Sequence, residues 1–373
     1  MIKTKTPPVR IAFIGAGGIT QAHKPAFLEY PERLKCAAVV DPFRASAEKL
    51  AGELGKDVPV FADYEEMLKA VGKEVDGVLI TTPHWLHAPA AATALKMKIP
   101  VLVEKPAVCS LDELRKLMVL EKKHRSFVMA GQMQRFDKTS HWLRNWVQDS
   151  KRCGKLNTFE INIWQNIFGY IHNKPDAWIV DGKRAGGGIC ISVGIHPLDL
   201  LRFVTGADFV EVSASGRFDA PFKNGAESQC LGWLRMSNGT VGTLNASYTV
   251  AKCPYSQSLA LFGEKGTVWQ QVASPGNGQY AGDYYSSSLE SRKITSWGAM
   301  YSGFEKIHDQ KSFQKMPEGG NSFTLQLLEF GAAIAEKRKP VENTLKINLN
   351  SIATVNALVK SIRTGKPCKV AVK

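Results

Sequence analysis

The chain has 373 residues, of which 44% are hydrophobic and 22% charged, a composition typical of a globular protein and a length that favours about two domains. No apolar run reaches the roughly twenty residues that cross a bilayer, and no cleavage pattern follows the basic start, so we expect a cytoplasmic protein without membrane contact. The net charge is +14, but Lys and Arg are dispersed. This favours attraction of an anionic substrate or cofactor over a nucleic-acid partner. The seven cysteines form no CxxC pair, which favours reduced thiols, and no metal site is predicted.

The first chemical signal is a glycine-rich turn between a strand and a helix. Ile11 to Ile14 is an apolar run typical of a strand buried on both faces, and Gln21 to Glu29 has helical composition. The N–H groups of a helix's first turn carry partial positive charge, and residues without Cβ let a pyrophosphate approach the backbone. The glycines of this predicted phosphate site are Gly15, Gly17 and Gly18.

A second strand strengthens this interpretation. Leu34 to Val40 reads as a buried strand that ends at Asp41, about twenty residues past the last glycine, where a carboxylate binds ribose hydroxyls. Asp41 would favour NAD, whereas Arg44 could turn towards the 2′-phosphate of NADP and reverse the preference. Thr20 replaces the usual sixth Gly or Ala, so the glycine pattern alone is weak. The alternative is an ordinary turn, with Asp41 as a helix cap.

Strands and helices alternate up to residue 130 without a hairpin turn. This order predicts a parallel sheet and a Rossmann domain over residues 1–130, with ligands at the carboxyl ends of the strands. The further predicted strands are Val58–Phe61, Gly77–Thr82, Val101–Val103 and Ser126–Ala130, and the helices are Ala45–Leu54, Tyr64–Val71, His87–Met97 and Leu111–His124.

After residue 130 the pattern changes to period two. Residues 131–373 are predicted to form an α+β domain with a large, mostly antiparallel, open-faced sheet, and Asn238-Gly239 is a hairpin signal. Its uncovered face predicts a homodimer or homotetramer. The predicted strands are Thr158–Trp164, Val210–Phe218, Gln229–Arg235, Val241–Tyr248 and Gln257–Phe262, and two late helices are Phe323–Glu336 and Asn350–Thr364.

Three motifs together resemble one enzyme family. GAGGI at residues 15–19, TTPHWLH at 81–87 and EKP at 104–106 are similar in order and spacing to the glucose-fructose oxidoreductase, inositol dehydrogenase and rhizopine-catabolism (Gfo/Idh/MocA) family. The resemblance covers about 200 residues. It implies a Rossmann domain followed by an open-faced sheet domain, and oxidation or reduction of carbohydrates and polyols with a nicotinamide cofactor.

Lys105 of the EKP motif is the first catalytic candidate. A lysine at a strand end can hydrogen-bond the substrate hydroxyl and stabilise the charge that develops as hydride leaves. The alternative is a solvated lysine beside a turn proline, but this lysine follows an apolar strand in the predicted cofactor crevice. By the resemblance Glu104 would contact the nicotinamide ribose. The resemblance also implies that several other residues lie near the cofactor: Ile19, Thr82, Pro83, His87 and Trp178.

A second constellation follows Gly186-Gly187-Gly188. Ser192, His196 and Asp199 have the spacing i, i+4 and i+7, which places them on one helix face. The family pattern here is GGG followed by Asp-x-x-x-His-x-x-Asp, with the first Asp and the His near the reacting carbon. Ser192 departs from it, and a neutral serine cannot hold a proton as an acid does, so His196 would carry acid/base chemistry with Lys105.

Two further substrate candidates follow the sixth predicted strand. Gln132 and Arg135, in QMQRFD, resemble the family's crossover into its second domain, although Arg135 could instead pair with an acid.

Three functions remain open from the sequence. The first is an NAD-dependent or NADP-dependent oxidoreductase acting on a secondary hydroxyl of a sugar, polyol or glycoside. The second is a glycoside-cleaving enzyme that retains NAD, oxidises transiently and eliminates. The third is a dinucleotide-sensing protein without catalysis, which Ser192 allows but Lys105 and His196 disfavour.

Overall fold

The structure is a computed structural model that describes residues 7–171, 174, 176–250, 255–273, 281–288, 305–309 and 322–372. The chain forms two compact units, and each contains two separate stretches of sequence. The first comprises Met1–Asp137 with Gly320–Leu349, and the second comprises Lys138–Gly319 with Asn350–Lys373. These bounds differ from the predicted domains 1–130 and 131–373, because a late stretch returns to the first unit.

The described elements number fifteen strands and eleven helices of α type. The strands are β1 Val9–Ile14, β2 Leu34–Val40, β3 Val60–Phe61, β4 Gly77–Ile80, β5 Val101–Glu104, β6 Val128–Gly131, β7 Leu156–Trp164, β8 Phe209–Arg217, β9 Gln229–Met236, β10 Val241–Ser247, β11 Ser256–Gly263, β12 Gly266–Ala273, β13 Ala281–Ser288, β14 Glu305–Asp309 and β15 Cys368–Lys369. The helices are α1 Thr20–Glu29, α2 Arg44–Leu54, α3 Tyr64–Val71, α4 His87–Lys96, α5 Leu111–His124, α6 Lys138–Gln148, α7 Ile167–Ile171, α8 Gly182–Ala185, α9 Ile195–Thr205, α10 Ser322–Ala335 and α11 Leu345–Thr364.

The first unit is built on a six-stranded sheet in the order β3-β2-β1-β4-β5-β6, and all of its pairs are parallel. This confirms the predicted Rossmann sheet. The first strand lies at the centre, so the turns that follow β1, β4 and β5 open at the same edge. β4 is shorter than predicted and ends at Ile80, because Ile14, its partner in β1, is followed by the turn at Gly15.

Local capping defines where two helices of this unit begin. Asp63 accepts hydrogen bonds from the backbone N–H groups of Glu65 and Glu66 at the start of α3. Ser110 and Glu113 form a reciprocal capping box at the start of α5. Such caps satisfy otherwise unpaired N–H groups and contribute about 1 kcal/mol each.

The late helix α10 is part of the first unit's core. Leu327 and Phe330 are fully buried and pack in one cluster with Ile11 and Phe13 of the central strand. Gly331 lies against Leu34, where a Cβ would come within 2.7 Å of the leucine side chain. Burial of an apolar helix face stabilises by roughly 25 cal/mol for each Å² removed from water, and this explains why a helix distant in sequence packs on the Rossmann sheet.

The second unit is built on a nine-stranded sheet in the order β14-β13-β12-β11-β7-β10-β9-β8-β15. Among these strands the β7 and β10 pair is parallel and the other pairs are antiparallel, which confirms a mostly antiparallel sheet. The predicted hairpin joins β9 and β10, and Gly239 takes a φ of +87° in its turn. Glycine adopts this left-handed conformation without a Cβ clash.

Helix α11 packs on one face of this sheet, whereas side chains on the opposite face of β9 are exposed. The α11 side chains Leu358 and Ile362 pack against glycines of β9 and β8. On the opposite face of β9, Leu231 is 60% exposed and Trp233 is partly exposed, alternating with buried residues. A strand alternates its side chains between faces, so this pattern describes a sheet with one covered face.

A buried helical stretch lies between β7 and β8 in the chain. Among the described residues, Gly182–Thr205 is long and apolar enough to cross a membrane by length and composition, yet 89% of its most apolar window is buried inside the protein. A π-helical turn, Cys190–Gly194, leads directly into α9. Such π turns widen the helix and occur most often at functional sites.

Candidate functional site

The glycine-rich turn connects β1 to α1 as the sequence predicts. Gly15 has a φ of +107°, and a Cβ on it would come within 2.8 Å of the Thr81 backbone. The Thr81 hydroxyl donates to the Gly15 carbonyl at 2.8 Å. No residue larger than glycine fits this turn, so Gly15 is required by the close approach of the β1 and β4 ends.

The other two glycines face open space. A Cβ built on Gly17 or Gly18 would meet no atom within 4 Å. No side chain caps the start of α1, whose N-cap residue, Ile19, is 37% exposed. An uncapped helix N-terminus beside two unobstructed glycines is the arrangement that accepts a pyrophosphate.

Asp41 joins this loop to the next helix. Its Oδ2 accepts from the Ala16 N–H at 2.8 Å, and its Oδ1 accepts from the Phe43 N–H at 2.8 Å. The carboxylate is therefore held at the end of β2 beside the glycine turn, where ribose hydroxyls are recognised in this type of fold. Arg44 instead forms an ion pair with Glu48 at 2.7 Å, with 82% of the arginine side chain exposed.

His87 connects the turns that follow β4 and β5. Its Nε2 lies 2.7 Å from the Thr82 carbonyl and its Nδ1 lies 2.7 Å from the Pro106 carbonyl. Burial lowers the pKa of His87, and the two carbonyl contacts oppose that effect. The ring therefore holds two cofactor-side turns together, and direct contact with the cofactor stays a prediction. Pro83 lies between Thr82 and His84, which is also buried.

The EKP residues are anchored from α1. Glu104 is 5% exposed; its Oε1 lies 2.7 Å from His23 Nε2, and its Oε2 accepts from the Lys105 N–H at 3.1 Å. Burial lowers the pKa of Lys105, and the Glu104 charge opposes that effect. A lysine with a lowered pKa exchanges protons nearer to neutral pH than an ordinary lysine does. The role of Glu104 at the nicotinamide ribose stays a prediction, since both its oxygens have partners in the protein.

Gln132 and Arg135 follow β6 in different environments. Gln132 is 1% exposed, and its backbone carbonyl accepts from Asn343 Nδ2 at 2.9 Å. The Arg135 guanidinium forms an ion pair with Glu342 at 3.0 Å and is only 7% exposed. Of the two alternatives that the sequence left open for Arg135, the structure shows the pairing with an acid. A substrate role for either residue is untested by these contacts.

Two buried polar atoms at the strand ends fit a bound dinucleotide. Thr82 Oγ1, after β4, and Gln132 Nε2, after β6, have no hydrogen-bond partner in the part of the chain that the structure describes. Buried polar atoms without partners are costly, and a ligand with complementary groups removes that cost. Together with the open glycine loop and Asp41, these atoms lie at the strand ends where a dinucleotide binds in this type of fold.

In the second unit, the three glycines pack against a buried acid. Gly188 N–H donates to Glu227 Oε2 at 2.9 Å, Cys190 N–H donates to Oε1 at 2.8 Å, and a Cβ on Gly188 would overlap the Glu227 backbone. The backbone at Gly188 therefore closely approaches the Glu227 segment, and this contact orients the π turn. Burial raises the pKa of Glu227, and the backbone N–H groups oppose that effect.

Ser192, His196 and Asp199 occupy different surroundings. Ser192 is buried in the π turn, near the Tyr248 phenol. Asp199 is 1% exposed and accepts from the Ser351 hydroxyl at 2.7 Å, while His196 lies in the first turn of α9 and is partly exposed. The common helix face expected for the three residues stays a prediction; Ser192 lies in the π turn, and His196 and Asp199 lie in α9.

Trp178 and the cysteines complete the list of residues that the sequence singled out. Trp178 lies in a 3₁₀ turn and is partly exposed, and its predicted cofactor contact is untested. The six described cysteines are free thiols, and the described ranges hold no group of three or more His, Cys, Asp or Glu residues arranged for a metal ion.

Sequence reasoning missed three buried polar residues. They are His23, Glu227 and Tyr248. His23 lies in the first helix after the glycine loop, and this position could have suggested a role near the cofactor. Its partner Glu104, however, is 81 residues away in the chain. Glu227 has no local signal, since it contacts a loop 37 to 39 residues earlier in the chain.

The fold and the nucleotide loop define a protein with a dinucleotide-binding Rossmann domain. Residues 9–132 match the family model described as an oxidoreductase family with an NAD-binding Rossmann fold, and residues 142–269 match the GFO/IDH/MocA C-terminal domain. Because these two regions together make up more than half of the chain, the protein belongs to the Gfo/Idh/MocA family, as the three motifs predicted.

Several proteins with similar sequences or folds are named dehydrogenases. The chain is 26% identical over 373 residues to scyllo-inositol 2-dehydrogenase (NAD(+)) of Bacillus subtilis, which covers 98% of this chain and 97% of that protein. It is 26% identical over 226 residues to D-xylose 1-dehydrogenase [NADP(+)] of Haloarcula marismortui, covering 59% and 62%. The fold resembles levoglucosan dehydrogenase in complex with NADH and levoglucosan, with a TM-score of 0.83, 17% identity, and 98% and 100% of the chains covered.

Proposed function

We propose that this protein oxidises a secondary hydroxyl of a sugar, polyol or related glycoside, or reduces the corresponding ketone. The observation that carries the proposal is Lys105, which follows β5 at the carboxyl edge of the Rossmann sheet, with its pKa lowered by burial. Bound NAD would accept the hydride from the carbinol carbon. The Lys105 amine would bind the hydroxyl and take its proton, and His196 would serve the same proton transfer. The inositol and xylose specificities of the relatives support a carbohydrate or polyol as substrate.

A panel of sugars, polyols and glycosides tests this function. We expect net formation of reduced nicotinamide, followed by its absorbance, with at least one member of the panel. Glycoside cleavage without reduced nicotinamide would instead support the enzyme that retains NAD. Binding of dinucleotide without any turnover across the panel would support the sensing protein.

For the cofactor we propose a preference for NAD over NADP. The Asp41 carboxylate would bind the 2′- and 3′-hydroxyls of NAD and repel a 2′-phosphate, and the Arg44 guanidinium is already paired with Glu48. We expect Asp41→Ala to weaken NAD binding by about tenfold or more, the scale of a hydrogen bond to a charged group. Titration of both dinucleotides measures this.

Glu48→Ala serves as the comparison variant, since it frees Arg44 and leaves Asp41 in place. We expect it to improve NADP binding and to leave NAD binding unchanged. Tighter binding of NADP than of NAD by the unmodified protein would contradict the assignment.

We also propose a homodimer or homotetramer formed through the uncovered face of the second unit's sheet. On this face Leu231 and Trp233 project from β9, and Phe262 packs edge-on against Trp269. Exposed apolar side chains on a sheet face favour burial by a second copy. Light scattering at micromolar concentration is expected to give a multiple of 41.0 kDa, and Leu231→Lys is expected to reduce it. A mass of one chain for the unmodified protein would refute this assembly.

A further inference from the structure

A histidine and a glutamate form an ionisable pair in the interior of the first unit. His23 has no exposed surface and Glu104 is 5% exposed, and 2.7 Å separates His23 Nε2 from Glu104 Oε1. The His23 ring also lies edge-on to Phe323, with 5.0 Å between the ring centres. Two such groups are expensive to bury unless each satisfies the other, and removal of one partner leaves the other uncompensated.

The hydrogen bond between them has a defined direction. His23 Nδ1 is buried and has no partner among the described residues, so a neutral ring gains nothing from a proton on that nitrogen. The ring therefore carries its proton on Nε2 and donates to the Glu104 carboxylate. Glu104 Oε2 accepts from the Lys105 backbone N–H, so both oxygens are engaged and the carboxylate has one orientation.

This arrangement controls the charge beside Lys105. Burial raises the pKa of Glu104, but the His23 hydrogen bond and the Lys105 charge more than offset it, so the pKa lies below its usual value. Burial lowers the pKa of Lys105, and the Glu104 charge opposes that. His87 is a further titratable neighbour, and its ring is held by two backbone carbonyls. Glu104 is thus the anion that favours the Lys105 ammonium.

We propose that His23 is a positioning residue that keeps Glu104 ionised and oriented on Lys105, and so determines when the Lys105 amine carries a proton. The inference rests on the proposed function of Lys105 in proton transfer. Without the His23 donor, the Glu104 carboxylate is protonated more easily, and Lys105 loses its anionic neighbour. The pKa of Lys105 then falls, so the amine loses its proton at lower pH than in the unmodified protein.

The test compares His23→Asn with His23→Gln. The shorter asparagine side chain does not reach Glu104, whereas the glutamine amide can still donate to it. Lysines are reductively methylated with ¹³C and titrated by NMR, and the Lys105 resonance is assigned by its loss in Lys105→Arg. We expect the Lys105 titration to move to lower pH in His23→Asn and to return towards the parent in His23→Gln.

Activity and packing provide the second measurement. We expect kcat near neutral pH to change by about tenfold in His23→Asn, the scale of one hydrogen bond to a charged group, with little change in KM for NAD. Phe323→Leu is the matched control, since it removes the ring contact with His23 but keeps the donor to Glu104. We expect it to leave the Lys105 titration unchanged.

Two outcomes overturn the inference. One is a folded His23→Asn protein in which Lys105 titrates as in the parent, and the other is an equal shift in Phe323→Leu. The NMR titration needs no turnover, so failure of this inference is separate from failure of the proposed function. The latter would be shown by a parent protein without activity on the panel.

Discussion

Lys105→Met is expected to reduce turnover by about a hundredfold or more, the usual scale for a positioned acid or base. Methionine has a similar length and tolerates burial, so the variant removes the amine while preserving the packing after β5. Binding of NAD should change little, because the pyrophosphate would be held by the open glycine loop and the ribose by Asp41. The measurements are kcat on the best substrate of the panel and a dinucleotide titration.

The pH dependence of the parent enzyme follows from the same residue. In the oxidation direction Lys105 must take a proton, so the rate rises as pH increases through its pKa. In the reduction direction the ammonium must donate, so the rate falls across the same range. Because burial lowers the pKa of Lys105, both changes are expected at lower pH than for an ordinary lysine.

Lys96→Met is the control for Lys105→Met, since Lys96 is an exposed lysine in the last turn of α4. It should retain parental turnover. Full activity in Lys105→Met would remove Lys105 from the chemistry, and another group or water would then have to take the proton.

His196→Ala is expected to reduce turnover by a similar factor, about a hundredfold. His196 is partly exposed in the first turn of α9, whereas Asp199 accepts from Ser351 and lies 3.5 Å from Arg202. His196 is therefore the group of this constellation that remains suited to exchange a proton. The measurement is kcat together with NAD affinity, which should be unchanged.

His141→Ala is the matched control, because His141 is an exposed histidine of the same unit whose ring packs on Phe203. Ser192→Asp is a complementary variant that restores the family's acid. A carboxylate at this buried position, beside the Tyr248 phenol, should favour the protonated form of His196 and shift the pH profile upward. Parental activity in His196→Ala would show that the histidine is structural, leaving Lys105 or water to move the proton.

The sequence by itself determined the parts of this protein that depend on neighbouring residues. Apolar runs, glycines and caps act over a few positions, so the strand Leu34–Val40, the helix Tyr64–Val71 and the helix Leu111–His124 have the predicted bounds. The alternation of strands and helices predicts a parallel sheet by the same local logic. The placement of Gly15 and Asp41 at its carboxyl edge followed from those elements.

Only the tertiary structure decided the contacts between distant segments. The packing of Phe330 in the first unit, the His23 bond to Glu104 and the Glu227 bonds to the glycine turn join residues far apart in sequence. The π turn at Cys190–Gly194 is a further case, since its composition does not differ from that of an α-helix. Such contacts arise because buried polar groups must find partners wherever folding brings them together, and no local pattern records that choice.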